Sequence, residues 1–197
     1  MKKIILGIDP GTNILGFSVI EVEVNRMKLK EVDVLRMRKG GTHHDKLKEI
    51  YAGVLAVIKK FSPDEMAIES PFFGKNVQSM LKLGRAQGVA ITVALTAEIP
   101  VFEYSPRKIK QSITGNGNAS KEQVAAILSQ LLQFDHKFLL LDATDALGVA
   151  VCHHFQNREA GADTDPGQKK ISGWKKFVSL NPGRIAMRDT RIAHRET

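Results

Sequence analysis

The chain has 197 residues, enough for one domain with a substantial core. Its 29 Lys and Arg against 21 Asp and Glu give a formal net charge of +8, which favours an anionic partner such as nucleic acid, although a generally basic enzyme has the same balance. The single cysteine, Cys152, excludes an internal disulfide, and no apolar run reaches the ~18 residues of a membrane span. We therefore expect a cytoplasmic protein without a membrane segment.

The first forty residues predict three antiparallel strands. The first, residues 3–9, is an apolar run that ends on Asp9 just before Pro-Gly. Residues 14–24 and 29–38 have the patterns of two further strands, and the short connections are typical of hairpins. Burying a carboxylate is costly unless something compensates its charge, so Asp9 either caps the turn or holds a cation.

Helices and strands alternate along the next part of the chain. Apolar spacing and capping signals predict helices at 44–61, 77–99, 107–114, 121–133 and 142–156. Short strands are predicted at 65–70 and 101–105. This order indicates an α/β fold with a mixed five-stranded sheet flanked by helices. We assign residues 1–156 to this domain and residues 157–197, rich in Gly, Pro and charge, to a basic, flexible tail.

Four carboxylates are expected to meet at one edge of the sheet: Asp9, Glu69, Asp142 and Asp145. Asp142 and Asp145 lie three residues apart in the predicted last helix, so both side chains project from one helix face. Such a cluster needs divalent cations, and two Mg²⁺ or Mn²⁺ ions can clamp the oxygens of a phosphodiester during hydrolysis. Each acid also has a simpler interpretation, as a turn residue, a strand-end surface residue, an N-cap and a first-turn residue respectively.

Five blocks in the same order resemble the bacterial RuvC-type Holliday-junction resolvases: GIDPGTNILGFSVI, MAIESPFFGKN, LKLGRAQGVA, VFEYSPRKIKQSITGNGNASKEQV and DATDALGVA. The resemblance covers roughly residues 1–155 and has no clear counterpart for the tail. It implies an RNase H-like fold, a homodimer, and a bacterial, cytoplasmic endonuclease of recombination and repair that cuts four-way DNA junctions symmetrically. It further implies Mg²⁺ as cofactor, with Mn²⁺ as substitute and two ions per site. The four acids above match the family's catalytic metal ligands, and a RuvA–RuvB branch-migration complex is the expected partner.

Aromatic and basic residues near the acids are candidate DNA contacts. Phe72 and Phe73 follow Glu69 in a loop, where they either fill the core or wedge between bases, and the resemblance favours Phe72 as the wedge. The basic candidates are Lys75, Lys82, Arg85, Lys110 and Lys121. They either form solvated surfaces or contact phosphates, and the resemblance singles out Lys110 and Lys121.

The predicted helix 77–99 is apolar almost all round between Val89 and Leu95. We expect one face to pack on the core and the other on a second subunit, as the resemblance implies. His153 and His154 fit the end of the last helix better than a zinc site.

Three other functions are alternatives to the junction endonuclease. Actin-like ATPases also begin with a strand and a phosphate-binding Asp-x-Gly-Thr-type turn, but they need two such domains, and this chain has one such segment. In a nonenzymatic junction-binding protein, four carboxylates would repel DNA. Another RNase H-like nuclease, acting on a different nucleic acid, is the remaining alternative.

Overall fold

The computed structural model describes residues 2–23, 26–71, 76–134 and 141–160, with backbone only for 158–160. A mixed sheet forms its centre. The strands are β1 (Lys3–Asp9), β2 (Ile14–Glu23), β3 (Arg26–Arg36), β4 (Glu65–Glu69) and β5 (Val101–Tyr104), in the order β3-β2-β1-β4-β5. The first three strands are antiparallel, whereas β4 pairs in parallel with both β1 and β5. The predicted mixed sheet is confirmed, and in it β1 and β4 are direct neighbours.

Helices cover both faces of this sheet. They are α1 (His43–Phe61), α2 (Val77–Thr96), α3 (Pro106–Thr114), α4 (Lys121–Leu132) and α5 (Leu141–Ala160). Because side chains alternate along a strand, Leu6 and Ile8 of β1 pack with α1 and α2, whereas Ile5 packs with α3, α4 and α5. Within the described part of the chain, none of the helices combines the length and apolar character needed to cross a lipid bilayer.

Capping residues set several helix boundaries. Thr42 and Ser120 each form a capping box with the residue three positions on, as expected for Ser120 and Gln123. Helix α2 ends at Thr96, three residues earlier than predicted, because the chain turns at Glu98, whose φ of 56° lies in the left-handed region.

Helix α5 continues four residues past its predicted end, through Ala160. A tertiary contact accounts for the extra turn, since the Asn157 amide donates to Glu65 Oε2 over 3.1 Å. His153 and His154 are therefore buried inside the helix, and the prediction that they end it is wrong. The helix also takes in the first residues of the predicted tail, while residues 161–197 lie outside the described residues.

Helix α5 approaches β1 and β2 unusually closely, because two glycines leave room for its backbone. A Cβ at Gly7 would lie 2.3 Å from the carbonyl oxygen of Ala146, and a Cβ at Gly16 only 2.0 Å from that of Asp142. Between them, Ser18 Oγ donates a 2.9 Å hydrogen bond to the Ala146 carbonyl. The start of α5 is thus held directly on the end of the sheet.

Candidate active site

Three carboxylates converge at the end of β1. Asp9, Asp142 and Asp145 each offer an oxygen, and these atoms all lie within 4.8 Å of one another. Asp9 is the last residue of β1 and pairs with Gly16, the residue on which the Asp142 backbone rests. The close approach of α5 to the sheet therefore brings the carboxylates of its first two turns to the end of the central strand.

Glu69 completes the acidic cleft from the neighbouring strand. It is the last residue of β4, which runs parallel to β1, so both strand ends reach the same edge. Glu69 lines one cleft together with Asp9 and Asp145. The structure thus brings together all four acids that the sequence singles out. Asp142 lies inside the first turn of a helix that begins at Leu141, so the N-cap interpretation of this residue is wrong.

Burial and mutual repulsion make two of these acids, Asp9 and Glu69, hold protons strongly. Burial, followed by the charges of Glu69 and Asp145, raises the pKa of Asp9 from 3.8 to about 8. Burial and the Asp145 charge likewise raise the pKa of Glu69 from 4.5 to about 7. Two carboxylates about 4 Å apart repel by roughly 4 kcal/mol at an effective dielectric of 20. An all-carboxylate set with this much unrelieved charge fits a hard divalent cation such as Mg²⁺ or Mn²⁺.

Two lysines partly offset this negative charge. The Lys121 ammonium, at the first residue of α4, is hydrogen-bonded to Asp145 Oδ2. Burial disfavours its charged form, but this bond and the acids around it raise the pKa of Lys121 above its usual value. Lys110, on α3, lines the same cleft, and its charge acts to lower the pKa of Glu69. Both lysines can meet an anionic substrate at the acids.

Two of the other candidate contacts lie away from the acidic cleft. Lys82 and Arg85 are exposed on α2, on the opposite face of the sheet from the acidic cleft. Phe72, Phe73 and Lys75 lie outside the described residues.

A buried polar network that sequence reasoning missed anchors α5 behind the acids. The imidazole of His153 lies 2.7 Å from Tyr104 Oη and 2.9 Å from Glu65 Oε2. Burial lowers the pKa of His153, which favours the neutral ring, although the Glu65 carboxylate acts in the opposite direction. A neutral ring fits both contacts when the Tyr104 hydroxyl donates to Nδ1 and Nε2–H donates to Glu65. Lys3 Nζ donates to the second Glu65 oxygen over 2.6 Å. The network ties the helix that carries Asp145 to β4, the strand that carries Glu69.

The fold and the acidic cluster together define the RNase H-like class of proteins, to which solved structures of the same fold belong. A family model described as "Crossover junction endodeoxyribonuclease RuvC" matches residues 5–153, and the chain belongs to this family.

Relatives that carry the same description extend the match over nearly the whole chain. One from Cytophaga hutchinsonii is 50% identical over 197 residues, covering 100% of this chain and 95% of the relative. One from Porphyromonas gingivalis is 50% identical over 186 residues, covering 93% of this chain and 97% of the relative. The expectation that the tail has no counterpart is therefore wrong.

A solved structure supports the fold assignment. It is described as "T. thermophilus RuvC in complex with Holliday junction substrate" and is 31% identical, with a TM-score of 0.75. The match covers 80% of this chain and 96% of that one.

Proposed function

We propose that this protein is a metal-dependent endonuclease that resolves four-way DNA junctions in recombination and repair by paired, symmetric phosphodiester hydrolysis. The observation that carries this proposal is the convergence of Asp9, Asp142 and Asp145 within 4.8 Å in a chain of this family. A T. thermophilus member of the family is described in complex with a Holliday junction, and the net charge of +8 suits DNA. Because bacterial DNA lies in the cytoplasm, we place the protein there.

The four acids are the proposed metal ligands. Asp9 interacts electrostatically with the other three acids, and together the four would hold two Mg²⁺ ions per site, with Mn²⁺ as a substitute. When bound, the ions activate water and stabilise the charge that develops on the phosphodiester oxygens. Glu69 belongs to β4, whereas Asp142 and Asp145 belong to α5, so the proposed ligands come from separate elements. Their geometry depends on how α5 is seated on the sheet.

The lysines have a positioning role in this proposal. A phosphodiester that enters the cleft approaches four carboxylates, which repel it. The Lys121 ammonium lies against Asp145 and Lys110 lines the cleft beside Glu69, so both draw the scissile phosphate toward the acids. The N-terminal position of Lys121 on α4, fixed by the Ser120 capping box, adds the helix dipole to this attraction.

Paired cutting of a two-fold junction requires two sites related by two-fold symmetry, and α2 offers a surface for a homodimer. Its core-facing side is formed by Ala86, Ala90 and Val93. On the opposite side, Leu81 and Leu95 are 53% and 55% exposed, and a Cβ at Gly84 or Gly88 would meet nothing within 4 Å. Glycines between exposed leucines allow the backbone of a second helix to approach closely, which supports α2 as the dimer contact.

Further contacts remain part of the proposal. We assign Phe72 or Phe73 to the junction centre as an apolar wedge, and Lys75, Lys82 and Arg85 to the DNA backbone. A RuvA–RuvB branch-migration complex is the partner that the family resemblance implies.

The test is a set of four charge-removing variants: Asp9→Asn, Glu69→Gln, Asp142→Asn and Asp145→Asn. Each keeps the side-chain size, so we expect loss of strand cutting in Mg²⁺, with junction binding retained or tightened because one repelling charge has gone. The matched control is Glu23→Gln, an exposed carboxylate at the far end of β2. Cleavage of labelled four-way junction, linear duplex and RNA–DNA hybrid distinguishes the proposed substrate from that of another RNase H-like nuclease. A variant that cuts at the wild-type rate excludes its residue from the metal site.

A further inference from the structure

A second polar pocket lies at the same end of the sheet as the acids but on the opposite face. Its lining residues are Thr12, Asn13, Gly41, His43, Lys46, Ser79 and Lys82. None of them lines the acidic cleft. Thr12 and Asn13 belong to the turn that follows Asp9, whereas the others come from the first turns of α1 and α2 and the residues before α1. The pocket is therefore formed by three segments that are far apart in the chain.

Hydrogen bonds hold these segments in place. Lys46 Nζ donates to Asn13 Oδ1 over 2.5 Å, which joins α1 to the turn after β1. The Asn13 carbonyl accepts a 3.0 Å bond from the amide of Met37, just beyond β3. At the start of α2, the Asn76 side chain accepts from the Ser79 amide over 3.0 Å. These bonds fix the three segments relative to the strands and helices around them.

One nitrogen in the pocket wall has no partner among the residues that the structure describes. The Nε2 atom of His43 is buried and forms no hydrogen bond within the described residues. A buried polar nitrogen without a partner is costly, and a ligand that supplies an oxygen atom would remove that cost.

The charge around His43 is positive. The pKa of His43 is lowered first by burial and then by Arg85, Lys82, His44 and Lys46, all of which are cationic or become so. The nearest carboxylate on α1, that of Asp45, is bonded to the backbone amide and hydroxyl of Thr42, and these bonds lower its pKa. Two lysines and the His43 nitrogen in one pocket favour a ligand that is anionic and rich in oxygen, which describes a phosphate group.

We propose that this pocket binds one phosphate of the DNA backbone, with Lys46 and Lys82 as its cations and His43 as a further hydrogen-bonding group. This inference rests on the proposed function in one respect, namely that the bound phosphate belongs to the DNA backbone. Asn13 is four residues from Asp9, so a phosphate held here fixes the register of the DNA relative to the acids without contributing to the chemistry. Phosphate contacts of this kind carry no base specificity, and the pocket serves a junction arm and a linear duplex alike.

The test measures the salt dependence of DNA binding in the presence of a chelator, so that no strand is cut. Lys46→Gln removes the charge while keeping a hydrogen-bond donor for Asn13. Lys82→Gln removes the second charge, on α2. The matched control is Lys59→Gln, exposed in the last turn of α1 and about 24 Å along the helix from His43. Binding to a four-way junction and to a linear duplex is measured for each variant, together with the melting temperature.

One phosphate shared by two lysines predicts a specific result. The slope of log K against log salt falls by about 0.9 in the double variant Lys46→Gln/Lys82→Gln, on both DNA substrates, with the melting temperature unchanged. The Lys59→Gln control keeps the wild-type slope. An unchanged slope in the double variant would overturn the proposal, and so would a loss near 1.8, since that would mean two separate phosphates rather than one shared pocket.

Inorganic phosphate serves as the probe that separates the possible sources of the ligand. Its addition should shift the NMR signals of the His43 ring in the wild-type protein but not in the double variant. A shift with phosphate together with an unchanged DNA slope would identify a site for free phosphate and refute the DNA assignment. If the protein binds DNA without cutting junctions, the proposed function fails, while the slope on linear duplex still decides whether the pocket holds a phosphate.

Discussion

Replacing Gly16 by alanine tests whether the seating of α5 on the sheet sets the geometry of the acids. The new Cβ would lie 2.0 Å from the carbonyl oxygen of Asp142, whereas real contacts of this kind stay above 3.0 Å. The start of α5 must therefore move away from β2 by about 1 Å or more. The obstacle is backbone, so no side-chain rotation relieves it. Overpacking of this kind costs about 1–3 kcal/mol, or roughly 2–4 °C in melting temperature for each kcal/mol in a chain of this size.

The larger effect is expected on activity. A displacement of about 1 Å can reduce a reaction rate by ~100-fold, because Asp142 would no longer lie opposite Asp9 at its native distance. We expect Gly16→Ala to cut junctions at about one hundredth of the wild-type rate, and to need a higher Mg²⁺ concentration for half-maximal cutting. The assay is cleavage of a labelled junction across a Mg²⁺ titration, with the melting temperature measured in parallel.

Gly148→Ala is the matched control on the same helix. Its Cβ would meet side-chain methyl groups of Ile113, Ile109 and Leu128 at 3.3, 3.4 and 3.8 Å, so shifts of a few tenths of an ångström accommodate it. Alanine also favours the helix by up to about 1 kcal/mol. We expect this variant to keep its activity and its stability. A Gly16→Ala protein with the wild-type rate and Mg²⁺ requirement would refute the view that this contact positions Asp142.

Two further predictions concern the acids and the dimer. At Asp9 and Glu69, whose pKa values are raised, the folded protein binds more protons than the unfolded chain between about pH 4 and 8, so these two groups lower the unfolding free energy as pH rises through that range in chelator. Asp9→Asn should flatten this dependence in thermal melts, and an equally steep profile would contradict it. Gly88→Glu, which places a charge in the exposed stripe of α2, should give a species of 21.8 kDa by light scattering, whereas wild type and Lys59→Glu should give twice that mass. A Gly88→Glu protein that stays dimeric would show that the subunits meet elsewhere.

The strands and the antiparallel pairing of the first three follow from local patterns, whereas the place of β4 beside β1 comes from the structure. Short turns after Asp9 and after β2 force antiparallel neighbours, and the helix between β3 and β4 allows β4 to return parallel to β1. Asp9 and Glu69 each end one of these parallel strands, so they share an edge once β4 lies beside β1. The extent of α5 could not be predicted in the same way, because its last turn depends on a contact between Asn157 and Glu65 that no local pattern records.

The residues that seat α5 were missed for the same reason. Gly16 looks like an ordinary strand glycine until the Asp142 backbone is seen against it, and Ser18 is joined to Ala146 across 128 residues. His153 resembled a helix end because its partners, Tyr104 and Glu65, come from two other strands. A glycine inside an apolar strand is the one signal available in advance, because it often marks a close backbone approach.

The dependence of the acidic cluster on α5 has a consequence for the folding chain. The three hairpin strands contact one another locally and can form early, but half of the acids reside on a helix that is synthesised last among the described elements. An incomplete nascent chain carries Asp9 and Glu69 without the carboxylates opposite them, and so holds no assembled cluster. The same separation applies when α5 detaches transiently from a finished molecule. The full set of four carboxylates exists only while the first strand and the last helix are docked, so a partly folded copy lacks the assembled cluster.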